Sequence, residues 1–292
     1  MSISPLAPAC SPTLVFPDET LHRALWSESI ESTNRDRIPS YLRTHYWWAY
    51  VHPRGVKLFE RQWLVNLILW GNYSRLRDAA LNELGESLPG TTLQVACVYG
   101  DLSDRIGKRA GAAGGRFDVV DVVPIQLENL RNKLAAGTPV RLMAMDSAHL
   151  QLTDDSYDRA LVFFLLHEQP ANVRRRTLRE VCRVVKPGGK IVIVDYARPR
   201  WWHPLRYLWW PVLVALEPFA LDFWRDDIGT WLPQSLVNRL CLHTFFGGLY
   251  QLASLRRATA VSSRPHPQAT SPTTDAFEFS DHDQIKQGAE IM

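Results

Sequence analysis

The turns that could do chemistry in this chain stand where a parallel sheet would expose them. The first is Val95-Ala96-Cys97-Val98-Tyr99-Gly100-Asp101, a small-residue loop that leads from an apolar run toward Leu102 and Ile106. Gly100 permits a close backbone approach to a ligand there. The second is Asp121, at the end of the run Phe117 to Val122. Its carboxylate offers two coplanar oxygens to vicinal ribose hydroxyls. The third is Asp146-Ser147, after Val140 to Met145, where a carboxylate can receive an adenine exocyclic amine. Each residue alone also reads as a turn or helix-cap position. Their succession in strand order is what points to a nucleoside pocket.

The elements that must position these residues are short β-branched runs alternating with amphipathic stretches between Thr92 and Tyr196, the mark of a parallel sheet with crossover helices. Leu93 to Val98, Phe117 to Val122, Val140 to Met145, Tyr157 to Leu165 and Lys190 to Asp195 read as strands. Val173, Leu178, Val181, Cys182 and Val185 share one helical face, terminated by Pro187-Gly188-Gly189. The expected fold class is α/β, a doubly wound, mostly parallel, Rossmann-like sheet whose ligand lies beyond the carboxyl ends of the strands.

Around this core, residues 1–39 read as a mobile arm in which Pro5, Pro8, Pro12 and Pro17 prevent a sustained helix. Residues 40–90 read as a helical cap, with Phe59, Trp63, Leu64, Leu67 and Trp70 at helical spacing. The α/β core spans 91–200. An aromatic segment facing a membrane or covering the ligand pocket, together with the end of the core, occupies 201–255, and 256–292 read as a disordered tail. Tyr207 to Leu216 carries no charge and is too short to span a bilayer, so it reads as an interfacial or pocket-covering helical insertion. Arg198, Arg200 and Arg206 beside it suit anionic headgroups.

Composition sets wide limits. The 292 residues suffice for one main domain with a substantial core. A charge of +3, from 33 Lys and Arg against 30 Asp and Glu, is too near balance for a nucleic-acid protein. The four cysteines lack metal-ligand or disulfide spacing, which favours a reducing interior, and the N-terminus has no pattern of a cleaved signal. Eleven tryptophans cluster between Tyr46 and Trp70 and between Trp201 and Trp231. Such rings suit a core, an aromatic pocket or a bilayer interface.

The strings Leu93 to Leu102, Val120-Asp121-Val122, Met145-Asp146-Ser147-Ala148 and Arg183 to Lys190 resemble class I S-adenosylmethionine (SAM) dependent methyltransferases, particularly the ubiquinone/menaquinone C-methyltransferases. That family usually has an acidic residue where Gln94 stands and a glycine where Val98 stands. Tyr46 to Arg54, Phe59 to Tyr73 and Val95 to Asp101 further resemble the rhodoquinone biosynthesis (RquA) family. That resemblance implies conversion of ubiquinone to rhodoquinone by exchange of a ring methoxy group for an amino group, with SAM as amino donor and divalent manganese. It implies action at the cytoplasmic membrane surface, or the mitochondrial inner membrane of a eukaryote. Tyr99, Asp121 and Asp146 are then the expected catalytic positions. Gln94, Val98, Gly100 and Ser147 join them in the SAM pocket.

A neutral amide at Gln94 holds an ammonium less strongly than a carboxylate, and burial would depress the pKa of the SAM amine and expose its lone pair. Tyr99 positions that amine, shuttles a proton or simply shapes the pocket. Asp121, Asp146, His149, His167, Glu168 and Asp195 offer donors compatible with manganese, and no spacing selects among them. His167 and Glu168 are expected at the pocket mouth, where a lone histidine is more often structural. The alternatives are a conventional SAM-dependent quinone methyltransferase and a catalytically silent scaffold of quinone biosynthesis.

Overall fold

The computed structural model describes residues 38–46, 52–59, 61–135, 137–208, 210–233 and 237–259. Nearly all of the expected arm, the string Trp47 to Val51 and the expected tail from residue 260 onward lie outside the described residues.

Seven strands form one sheet, β1 (Thr91–Val95), β2 (Arg116–Asp121), β3 (Val140–Ala144), β4 (Tyr157–Phe163), β5 (Val185–Tyr196), β6 (Val237–Phe245) and β7 (Tyr250–Arg257), in the order β3-β2-β1-β4-β5-β7-β6. The β1/β2, β1/β4, β2/β3 and β4/β5 pairs are parallel. β7 runs antiparallel to both β5 and β6. The strand order turns back at β1, which pairs with β2 on one side and β4 on the other, so the crevice for a ligand opens beyond the ends of these strands. This is the doubly wound α/β architecture the sequence implies.

Both faces of the inner strands β1, β2, β4 and β5 are largely buried, which is why they read as mostly apolar runs. Ile191 and Ile193 of β5 face one core with Leu178, Val181 and Cys182 of the helix Ala171–Val184. Val192 and Val194 face the other core with Leu76, Ala80 and Leu81 of the helix Tyr73–Leu84 and Leu102 and Ile106 of the helix Leu102–Ala112. The helix Ala171–Val184 stops short of the proline-glycine signal. Val185 already pairs with Tyr157 and Lys190 with Arg159, so Lys186 to Gly189 loop out within β5.

Two strands were not legible in advance. β6 and β7 fall in the segment read as aromatic insertion and end of core, and β7 continues through Arg257, past the expected start of the tail. The expected cap is divided among the helices Ser40–His45, Pro53–Phe59 and Gln62–Ile68, ahead of Tyr73–Leu84. Its aromatic stripe is divided too. Trp63, Leu67 and Trp70 are exposed, whereas Leu64, Val65 and Ile68 turn inward to the cavity described next.

The insertion folds as the short helices Leu205–Leu208, Trp210–Leu216, Ala220–Arg225 and Ile228–Trp231. Arg174, fully buried, anchors it. The guanidinium donates to the carbonyls of Leu166, Gln169 and Phe219 and lies against the rings of Phe223 and Trp231.

Candidate functional site

A cavity of about 480 Å³ opens at the carboxyl ends of β1, β2 and β4, a size that suits a small organic ligand. Its floor comes from the turn after β1, the end of β2, Met145 and Ser147 after β3, and Phe163 to Leu165 with His167 and Glu168 after β4. Its roof comes from Tyr41, Leu42 and Tyr46, from Leu58 and Phe59, from Leu64, Val65, Ile68 and Leu69, and from Leu213 and Glu217 of the insertion.

At the β1 turn the chain enters the left-handed region at Ala96, φ 73°. The following Cys97 N–H donates to Asp121 Oδ2 at 2.7 Å, and Val123 N–H donates to Oδ1 at 2.8 Å. Burial pushes the Asp121 carboxyl up to about 6, and these N–H bonds limit the rise. The Cys97 side chain and the Val122 backbone add to this set of donors. Val98 and Tyr99 line the same cavity as Asp121. The Tyr99 hydroxyl accepts from Gln126 Nε2 at 2.8 Å, and its ring stacks on Phe59 with centroids 6.1 Å apart.

The turn is clamped from behind. Lys133 Nζ donates to the Val98 and Gly100 carbonyls at 3.0 and 3.1 Å. The Tyr73 hydroxyl donates to the Tyr99 carbonyl and accepts from Asp101 N–H. Gly100 sits at φ +86°, and a Cβ there would lie 2.3 Å from that hydroxyl. Asp101 is paired with Arg77 at 2.9 Å and Arg105 at 2.7 Å. Partial burial would raise its pKa, but the hydrogen bonds and charges of these two guanidinium groups hold it below the usual carboxylate range.

Of the residues expected in the pocket, Val98, Tyr99, Asp121 and Ser147 line the cavity together, and Gly100 shapes its turn. Gln94 and Asp146 are placed otherwise. Gln94 is fully buried behind the turn, donating to the Ala96 carbonyl and accepting from Ser103 Oγ. Asp146 accepts from Ala148 N–H at 2.8 Å and lies 3.5 Å from His149 Nδ1; it is not among the lining residues, although its charge reaches the phenol of Tyr41 in the roof. Ser147 Oγ accepts from Gln169 Nε2 and shares a hydrogen bond with Thr177.

The opposite end of the cavity holds a polar cluster in which His167, Glu168 and Asp195, offered by the sequence only as donors compatible with manganese, meet Tyr46 and Glu217, which the sequence reading did not single out. His167 Nδ1 lies 2.7 Å from Asp195 Oδ1, and Nε2 lies 3.8 Å from Glu168 Oε1. Asp195 also accepts from the N–H groups of Leu166 and Tyr196. Burial would lower the His167 pKa, but the Asp195 charge and hydrogen bond outweigh it and raise the imidazole to about 9. The Tyr46 hydroxyl donates to Glu217 Oε2 at 2.7 Å. Burial pushes the Glu217 carboxyl up, although His167 and the Tyr46 bond oppose the rise. Burial likewise holds the phenols of Tyr41, Tyr46 and Tyr196 protonated. The signal for Glu217 was present in the sequence, as the lone carboxylate ending an uncharged run.

Residues 92–189 match a family model described as a methyltransferase domain. The chain is similar to a ubiquinone/menaquinone biosynthesis C-methyltransferase of Bordetella avium, 29% identical over 147 residues, 50% of this chain and 51% of that one. It is also similar to a demethylmenaquinone methyltransferase of Staphylococcus aureus, 28% identical over 49% of this chain and 57% of that one. The match thus spans little more than half the length of these curated relatives. Among solved structures, a phosphoethanolamine N-methyltransferase of Haemonchus contortus in complex with SAM superposes with a TM-score of 0.54. At 11% identity, over 76% of this chain and 60% of that one, the likeness is one of fold.

The donor set fits a nucleoside. A buried carboxylate that lines the cavity stands at the end of β2, with apolar Val98, Val122 and Met145 beside it for a flat base. It does not fit a divalent metal. Among the described residues no group of three or more His, Cys, Asp or Glu is placed to hold one.

Proposed function

We propose that this chain converts ubiquinone to rhodoquinone, exchanging a ring methoxy group for an amino group with SAM as amino donor, at the surface of the membrane in which the quinone is dissolved. The observation that carries the reading is the joint lining of one cavity by Asp121, Val98 and Tyr99. The ribose-binding carboxylate of the nucleoside site persists, while two side chains occupy the turn where a small-residue loop would leave room. Further support comes from the similarity to enzymes named for quinone methylation and from the aromatic walls at the far end, Phe164, Tyr196 and Tyr41.

When bound, SAM supplies the nitrogen nucleophile under this reading. Asp121 holds the ribose hydroxyls, and Tyr99, fixed by Gln126, positions the amino-acid end. Addition at a ring carbon places negative charge on a quinone carbonyl oxygen, and His167, kept protonated by Asp195, donates to it. The departing methoxide takes the proton released from nitrogen and leaves as methanol, which completes the ring C–N bond. Freeing the ring amine then breaks the bond from nitrogen to the donor's α-carbon, the quinone taking up two electrons to become the quinol and water supplying the oxygen of the 2-oxo acid released. Manganese, which the family resemblance implies, finds no three-residue ligand set among the described residues, and no step here is routed through it.

The test is mass spectrometry of the quinone after incubation with SAM carrying heavy nitrogen at its amine. Heavy nitrogen in the product supports the amination. Transfer of a labelled methyl group instead would establish the second reading, a conventional quinone methyltransferase, which the methyltransferase-domain match favours. Neither label in the product would leave a scaffold role.

A further inference from the structure

On the outer side of the insertion lies a second hollow, about 540 Å³, lined by Arg198, Arg206 and Arg225 together with Tyr207, Trp210 and Trp224. We propose that it binds the phosphodiester headgroup of an anionic phospholipid, with the surrounding tryptophans seated in the bilayer interface.

The charges come first. Arg225 is paired with Asp222 at 3.2 Å, but among the described residues neither Arg198 nor Arg206 takes part in an ion pair. Arg206 Nη1 donates to the Pro199 carbonyl at 3.1 Å, a bond that sets the side chain without neutralising it. Two guanidinium groups therefore face one hollow with their charge uncompensated. The planar fork of arginine suits a phosphate oxygen pair.

The surroundings narrow the anion to a lipid. Trp201 is 74% exposed, Leu208 67%, Tyr207 63% and Trp210 54%, a concentration of large apolar side chains that water alone does not favour. Indole and phenol rings beside arginines belong at the headgroup level of a bilayer. Among the described residues no helix is long and apolar enough to cross a membrane, and the proposal seats these short helices in the interface through their exposed aromatic side chains.

The same helix Trp210–Leu216 links the two hollows. It turns Trp210 and Val214 outward and Leu213 into the roof of the first cavity. A headgroup held at the arginines would bring that roof against the bilayer, from which a long-tailed apolar substrate enters. This deepens the membrane part of the proposed function and does not depend on which group is transferred.

The experiment floats the full chain with vesicles of phosphatidylcholine alone and with vesicles that also contain phosphatidylglycerol. The expected result is recovery with the anionic vesicles only, weakened by added salt. Arg198→Gln with Arg206→Gln should weaken the partition about fivefold per arginine, roughly twenty-five-fold for the pair. Equal recovery on both vesicles, recovery on neither, or an unweakened folded double variant would overturn the assignment. So would saturable binding of inorganic phosphate without vesicles, which would mark a soluble-phosphate site. The headgroup and salt dependence of the unaltered chain decide the matter even if the double variant fails to fold. Turnover of a short-tailed, water-soluble quinone without vesicles reports the ring chemistry separately.

Discussion

Asp121 is held by the backbone N–H groups of Cys97 and Val123, so a ligand in the cavity meets a carboxylate that is already oriented and whose pKa is raised to about 6. Asp121→Asn should weaken SAM binding by about 2 kcal/mol, the worth of a hydrogen bond to a charged group, read by calorimetric titration. Because burial raises this pKa, the acceptor is lost by protonation as pH falls through about 6. The affinity of the unaltered chain should fall over that interval, while that of the Asn variant stays flat. Gly100→Ala adds a Cβ at φ +86° against the Tyr73 hydroxyl, at a cost of about 2 kcal/mol of stability that a lower urea midpoint reports. At this scale the sequence was informative where a residue follows a strand, as with Asp121 and Tyr99. It misled for Gln94, which lies within β1 and alternates with Leu93 and Val95 toward the opposite face, where Ser103 meets it. The period of two was present in the sequence, but the family pattern drew attention to the position instead.

Elements that precede and follow the parallel strands in the chain meet over the cavity. Tyr46, just after the helix Ser40–His45, bonds Glu217 of the insertion, and Tyr41 and His45 set their rings edge-on against Phe219. Removing the hydroxyl in Tyr46→Phe should cost about 1 kcal/mol of stability and raise amide hydrogen exchange first in the segments flanking residues 46 and 217. No local pattern announces a contact between positions 171 residues apart. β1, β2, β4 and β5 were legible because both of their faces are largely buried and apolar residues dominate their runs, and β3, only partly buried, because Val140, Leu142 and Met143 still stand out around Arg141. β6 was not, since it is an outer strand, paired only with β7, and Asn238, Arg239, His243 and Thr244 dilute its pattern. The cap stripe looked continuous because exposed Trp63 and Leu67 are as apolar as the inward Leu64 and Ile68. Hydropathy cannot separate a face turned to a cavity from one turned outward.

For the molecule as a whole, the buried His167 and Asp195 pair links folding stability to pH. The folded imidazole has its pKa raised from 6.5 to about 9, so its contribution is complete below 6.5 and is lost as pH rises through about 9. Thermal unfolding should therefore move to lower temperature across that interval, and His167→Gln should flatten the dependence while lowering the melting temperature at neutral pH. An unchanged slope in the variant would mean that another group carries the linkage. The two strands that flank the topological switch, β1 and β4, both end beside a left-handed residue that is not glycine, Ala96 at φ 73° and Phe164 at φ 52°. Each such conformation costs about 1–2 kcal/mol that an unstrained turn would not. Heat resistance gained by relaxing these two corners would come at the expense of the cavity floor, so a search for a hardier variant has its safer gains elsewhere, in the surface helices.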